Sequence, residues 1–248
     1  MLVDVHAHIF KNYFEDIDSV VKRAKEKNIV CVINNGLDKK TNREVLELSK
    51  KYKILEVALG IYPTEAFKMS KEEIEEELSF IEEQKNNIKA IGECGLDLHW
   101  DKNEDNFNKQ KKVFTQLIEL AEKIKKPVIV HSRKAEKEVI EILSSFKAKI
   151  NMHCFGGNLK LVRKAVDLGF SFSMPVSIIR STHFQAIANE VPISNLLTET
   201  DSPYLNPEVE KNEPAYIYKV IGKIAEIKGI DVKAVDKAIY KNFSKMFV

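Results

Sequence analysis

Two histidines one residue apart, His6 and His8 in the segment VDVHAHIF, are the first residues of this chain suited to more than packing. In an extended strand positions i and i+2 share a face, so both imidazoles point the same way. Four more side chains of this kind stand in apolar runs downstream: Glu93 in AIGECGLD, His131 in VIVHSR, His153 in INMHCF and Asp201 in LLTETDSP. Imidazoles and carboxylates form the mixed nitrogen and oxygen donor set that suits zinc, manganese and related ions. Singly, each is more often a satisfied core or surface residue. Buried together without a partner they would cost several kcal/mol, and a divalent cation supplies that partner. Six donors exceed one tetrahedral site and suit two cations about 3.5 to 4 Å apart. His6 and His8 are then ligands of the first cation, Asp201 shares it and accepts the proton of the attacking water, and Glu93 bridges the pair.

Such a convergence needs a scaffold that brings distant segments to one rim. Short Val, Ile and Leu-rich runs alternate with charged stretches whose apolar residues recur every three or four positions, the pattern of βα units around a parallel sheet. Strands are expected at 2–9, 29–36, 54–61, 88–97, 127–132, 149–155, 170–175 and 195–201, each followed by a helix. One helix begins at Ser70, with Glu73 closing a capping box, and the last helical stretches run from about Glu213 to the C-terminus. Eight such units in 248 residues predict a single-domain (β/α)8 TIM barrel spanning residues 1–248, with an open doubly wound sheet as the fallback. The barrel places catalytic side chains at the C-terminal ends of strands, where the six candidates fall.

Composition narrows the functions available. With 39 Lys+Arg against 37 Asp+Glu, the net charge of +2 gives no global field for a nucleic acid or membrane, so a polyanion must be held locally or through metal. The glycine-rich loops of dinucleotide and nucleoside triphosphate binders are absent. Three scattered cysteines, Cys31, Cys94 and Cys154, argue against a disulfide framework or a structural zinc site and point to a reducing cytoplasm. The segment MLVDVHAHIF has no basic leader and no run approaches a membrane span, so a soluble, unexported protein with no obligate protein partner is expected.

Neighbouring residues refine the substrate. Arg133 shares strand parity with His131 and suits bidentate phosphate binding, the alternative being a surface ion pair. Glu199 shares the inward parity of Asp201 and reads as support for a ligand histidine. Cys94 and Cys154 have the opposite parity and read as small core residues, while His99 and His183 are expected to face solvent. Trp100, the only tryptophan, follows strand 4 and is placed either to stack on a base or to pack within its loop.

The ordered segments VDVHAHI, GIYP, AIGECGLD, PVIVHSR, MHCFGG, LLTETDSPYL and NEP together resemble the TatD family of metal-dependent deoxyribonucleases, among the amidohydrolase-like barrels. The resemblance covers nearly the whole chain; IGECGLD and LTETDSPYL are its specific parts. It implies a TIM-type barrel, two divalent cations (Mg, Mn or Zn) held by His6, His8, Glu93, His131, His153 and Asp201, and hydrolysis of phosphodiester bonds in DNA or a small phosphodiester. Tyr62 stands where the family usually has a substrate-touching histidine; a phenol donates a hydrogen bond but does not become cationic. NPEVEKNEP offers only Lys211 where arginines are usual, and the second glycine of HCFGG follows another glycine instead of a hydroxyl residue. These departures bear on substrate choice more than on chemistry. The competing readings are an amidohydrolase or lactonase acting on a small cyclic amide or ester, and a non-catalytic binding protein with a vestigial pocket. Many amidohydrolases carry a carboxylated lysine at strand 4, where this chain has Glu93, and the presence of all six donors disfavours the vestigial pocket.

Overall fold

A computed structural model describes residues 1–248. Eight parallel strands, β1 (Leu2–Ala7), β2 (Ile29–Asn35), β3 (Leu55–Leu59), β4 (Ala90–Gly95), β5 (Val128–His131), β6 (Ile150–His153), β7 (Ser171–Met174) and β8 (Leu196–Thr198), pair in sequence order. The helices between them are α1 (Ile17–Glu26), α2 (Lys39–Lys51), a one-turn α3 (Pro63–Ala66) with α4 (Lys71–Glu83), α5 (Glu104–Ile124), α6 (Glu136–Leu143), α7 (Leu159–Asp167) and α8 (Thr182–Glu190). The chain ends in α9 (Ile217–Lys228) and α10 (Val232–Phe247). Gly229 separates these two with a φ of 64°, where Ile230 N–H returns to the Ala225 carbonyl and stops α9. None of the helices is long and apolar enough to cross a membrane, and all three cysteines are free thiols.

Helix propensity and packing agree locally. On α5 the buried residues Val113, Phe114, Leu117, Ile118 and Ala121 recur at helical spacing and form one stripe against the sheet. Ser70 and Glu73 form the expected capping box at the start of α4. Asp38 and Thr41 form a second at α2.

The seam between β1 and β8 positions three of the candidate ligands. No backbone ladder joins these two strands; polar groups stitch them instead. Thr198 Oγ1 donates to the Val3 carbonyl (2.7 Å), and Thr200 donates to Asp4 through both its N–H (3.0 Å) and its hydroxyl (2.6 Å). Asp201 N–H donates to the His6 carbonyl (2.9 Å) and His8 N–H to the Ser202 carbonyl (2.7 Å). The bonds that close the barrel therefore also fix three of the candidate ligands.

Strand ends differ from the sequence reading, with consequences for parity. Since β1 stops at Ala7 and β8 at Thr198, His8, Glu199 and Asp201 lie past the ladders, and Asp201 adopts a φ of 54° that ends the alternation. Likewise β5 ends at His131, so Arg133 sits in the following turn and strand parity does not orient it.

A buried ionic knot holds α2 and α4 under the rim. Glu77 is fully buried; it accepts from Arg43 Nη1 and from Asn42 Nδ2 (2.7 Å), while Asn42 also spans both backbone groups of Gly60. Glu77→Ala deprives both donors of their acceptor and is expected to lower the unfolding free energy by about 3 kcal/mol, the scale of a charged buried hydrogen bond. A shift of the urea midpoint at constant slope checks it.

Candidate metal centre

The six sequence-selected donors meet at the C-terminal mouth of the barrel. His6 Nε2 and His8 Nε2 face each other at 3.0 Å. Glu93 Oε2 lies 3.4 Å from the first and 3.2 Å from the second, and Asp201 Oδ1 is 3.5 Å from both. The other oxygen of the same carboxylate, Glu93 Oε1, lies 2.9 Å from His131 Nδ1 and 3.7 Å from His153 Nε2. Glu93 thus stands between two groups of nitrogens with one oxygen turned to each.

Close backbone approach makes room for this carboxylate. A Cβ at Gly60 would lie 2.4 Å from the Glu93 carbonyl oxygen, and one at Gly95, whose φ is +148°, would lie 1.9 Å from the His131 carbonyl oxygen. Only glycine lets β3 and β5 come this near to β4 at the site.

Three of the four imidazoles have their outward nitrogen tied to an oxygen. His8 Nδ1 donates to the Asn35 carbonyl (3.0 Å), His153 Nδ1 pairs with Glu199 Oε2 (2.9 Å), and His131 Nε2 pairs with Asp97 Oδ2 (2.9 Å). Each bond holds the ring and aims the other nitrogen inward, the support that metal-binding histidines receive. Ser173 Oγ donates to Glu199 and fixes it in turn. His6 is the exception: its Nδ1 is buried without a partner, and its ring stacks on His153 at 3.6 Å.

This arrangement fits a divalent cation. Bonds of about 2.0–2.1 Å in a tetrahedral site separate neighbouring donors by about 3.4 Å, and the five separations among His6, His8, Glu93 and Asp201 run from 3.0 to 3.5 Å. Three triads, His6/His8/Glu93, His6/His153/Asp201 and Glu93/His131/His153, each bring their donor atoms within 4.8 Å of one another.

The electrostatics of the protein groups point the same way. Burial opposes a charged imidazole at His8, but hydrogen bonds to Asp201 and Glu93 outweigh it and push the pKa up to about 10. At His153 burial is likewise outweighed, by Glu199 and Asp201, and the value rises to about 9. His6, where burial is reinforced by the charge of His153, falls to about 4. Burial would raise both carboxylates, yet the histidines around them hold Glu93 well below the ordinary range and lower Asp201 too. The centre is a nest of ionised carboxylates whose charge protons or cations must balance.

Asp201 is the most open donor, with 14% of its side chain exposed against 0% for His6, 3% for Glu93, 4% for His8, 6% for His153 and 11% for His131. Tyr62 places its hydroxyl 3.4 Å from both Asp97 Oδ2 and His131 Nε2, long contacts that leave the O–H at the mouth. Burial, with Glu93 and Asp97 nearby, raises its pKa and keeps it a donor. Arg133 is exposed, its guanidinium 5.3 Å from the Trp100 ring centroid. His99 and His183 are exposed and outside the cluster, Cys94 is buried as expected, and Cys154 is only partly buried because its φ of 41° turns it off the strand.

Sequence reasoning missed Asp97, Asp4 and Thr200. Asp97 follows Glu93 by four positions in ECGLD, and Asp4 precedes His6 by two, so the same parity that selected the ligands was available for both. Thr200 carries no such signal, since its role depends on the β1–β8 seam.

Comparison with known proteins agrees with this geometry. A family model described as TatD related DNase matches residues 3–248. The chain is 34% identical to the uncharacterized metal-dependent hydrolase YabD of Bacillus subtilis, over 100% of this chain and 99% of that protein. It is 32% identical to the human deoxyribonuclease TATDN3, over 99% of this chain and 94% of that one. The crystal structure of YJJV, a TatD homologue from Escherichia coli, superposes with a TM-score of 0.89 at 26% identity, covering 99% of this chain and 97% of that one. With a barrel of that shape, a His/Glu cluster able to hold metal and a family match along almost its full length, the chain belongs to the TatD family of metal-dependent hydrolases.

Proposed function

We propose that this protein is a two-metal deoxyribonuclease that removes nucleotides from a DNA end. The observation that carries this reading is the split carboxylate, Glu93 Oε2 facing His6 and His8 while Oε1 faces His131 and His153. His6, His8, Asp201 and Glu93 would hold one cation (Mg, Mn or Zn) and Glu93, His131 and His153 the other. Bound there, such ions supply Lewis acidity toward water and phosphoryl oxygen. DNA as the substrate class is supported by the deoxyribonuclease TATDN3, a relative at 32% identity.

The chain's own residues then have distinct tasks. Asp201, ionised and the most open of the donors, accepts the proton of the attacking water. Tyr62 donates its O–H to a phosphoryl oxygen. Arg133, which makes no ion pair within the chain, receives a neighbouring phosphate. Asp97 and Glu199 hold His131 and His153 in place.

The test is release of nucleotides from single-stranded DNA with Mg, Mn or Zn and with chelator. Release that requires a divalent ion and stops on chelation is expected. Release that persists in chelator, or none with any of the three ions, overturns the proposal. Lactones and cyclic amides assayed in parallel are expected to turn over far more slowly than phosphodiesters.

A further inference from the structure

We infer that Trp100 and Arg133 form a stacking platform for an unpaired nucleobase at the barrel mouth. The inference rests on the deoxyribonuclease reading and names what in the chain would recognise the strand. Trp100 is 66% exposed. A singly exposed aromatic ring means little by itself; the anchoring of this one is what matters. Asp97 Oδ1 accepts from the backbone N–H groups of His99 (2.7 Å) and Trp100 (3.1 Å), while Asp97 Oδ2 holds His131. One carboxylate therefore positions both a candidate metal ligand and the backbone of the tryptophan.

The loop is pinned further along and from the side. Asp101 accepts from Asn103 N–H (2.7 Å) and Asn106 Nδ2 (2.6 Å), and Leu98 N–H donates to the Arg133 carbonyl (3.0 Å). That last bond ties the β4 loop to the β5 turn, and Arg133 reaches back toward the indole at 5.3 Å. The guanidinium has no hydrogen bond or ion pair within the chain. An exposed indole whose backbone is anchored, with an otherwise unpaired guanidinium over one side of its ring, can stack a base on the other side and hold its phosphate.

The mouth has a second aromatic wall. In a ring of eight strands β4 and β8 lie opposite each other, and Tyr204 follows β8 as Trp100 follows β4. Tyr204 is 50% exposed, its N–H donates to the Asp201 carbonyl (2.8 Å), and it packs edge-on against Tyr13 with centroids 5.8 Å apart. Two exposed aromatic residues thus follow strands on opposite sides of the mouth, each tied to a residue of the metal cluster or its support. Bases in a duplex are already stacked on one another, whereas an unpaired base offers a free π-face to these walls.

Because Trp100 is the only tryptophan, its emission reports on this site alone. In chelator, single-stranded oligothymidylate is expected to quench it, while an abasic oligonucleotide of equal length is not. With metal restored, Trp100→Ala is expected to raise KM for oligothymidylate on the order of ten-fold, to the level of the abasic strand, with little change in kcat, and Trp100→Phe to keep most of the discrimination. Unaltered emission on adding oligothymidylate, or a KM for Trp100→Ala equal to that of the unsubstituted protein, overturns the platform. Hydrolysis of the small diester bis(p-nitrophenyl) phosphate but not of DNA overturns the deoxyribonuclease reading and the platform with it. Hydrolysis of both with Trp100→Ala indifferent overturns the platform alone.

Discussion

Asp201→Asn is expected to reduce turnover by on the order of 10²-fold or more while leaving the barrel folded. The amide keeps the shape of the side chain, so the backbone bonds of Asp201 to His6 and Tyr204 can persist. What disappears is the carboxylate charge. An amide neither accepts a proton from water nor balances a cation, and Asp201 is the only donor combining an ionised carboxylate with appreciable access to the mouth. The same substitution removes a hydrogen bond that helps push His8 up to about 10, so the His8 pKa is expected to fall. Steady-state kinetics and an NMR titration of the histidines check the two parts separately. Turnover within a few-fold of the unsubstituted protein would remove Asp201 from the role of base. Lost turnover with collapsed secondary structure would move its importance to the β1–β8 seam.

The donor set was legible in the sequence because it depends on residue type and strand order, and a parallel barrel converts strand order into proximity at one rim. His6, Glu93, His131 and His153 lie on their strands, where alternation placed them at the rim, although the pairing shifts register beside His6 and Glu93. His8 and Asp201 reached the same place by another route. Both lie past the strand ends and are fixed by two isolated backbone hydrogen bonds across a seam that has no regular ladder, so parity gave the correct location for a reason that does not hold there. Arg133 shows the limit more plainly, because two residues beyond the strand end are enough to free a side chain from alternation. Asp97 was overlooked although its parity was visible: its task depends on which nitrogen of His131 faces outward, and a linear sequence carries no ring orientation. The support of His153 by Glu199 was foreseeable, and the geometry bears it out at 2.9 Å. The Glu77 knot lay beyond sequence reasoning altogether, since a Glu on a charged helix resembles its solvated neighbours until α2 covers it.

Glu93→Gln is expected to lower the affinity for both cations at once, by on the order of 10²-fold or more, because losing even a supporting partner of a ligand typically costs 10- to 100-fold. One half of an amide is a donor and repels a cation, so Gln cannot serve both nitrogen groups that Glu93 now faces. Protons give a second reading of the same event. At pH 7 the metal-free protein holds His8 and His153 protonated, with pKa values pushed up to about 10 and about 9. Cations bind deprotonated imidazoles, so binding must release protons, and the release must shrink as pH approaches 10. The sign for stability follows. These raised values favour the metal-free fold fully below the unfolded imidazole value of about 6.5, and the benefit is lost between there and about 10. Asp4, which burial raises to about 8, adds a loss in the same direction, whereas His6, lowered to about 4, acts oppositely and only between about 4 and 6.5. The chelated protein should therefore lose stability as pH rises from about 7, while the stabilisation conferred by added metal grows. Calorimetric titration in buffers of different ionisation enthalpy, with thermal unfolding across pH, measures both. In Glu93→Gln the released protons should fall, because the carboxylate that helps hold them on His8 is gone. Undiminished metal content in that variant, or binding to the unsubstituted protein without proton release at pH 7, would mean that Glu93 is not the shared ligand of a proton-loaded site.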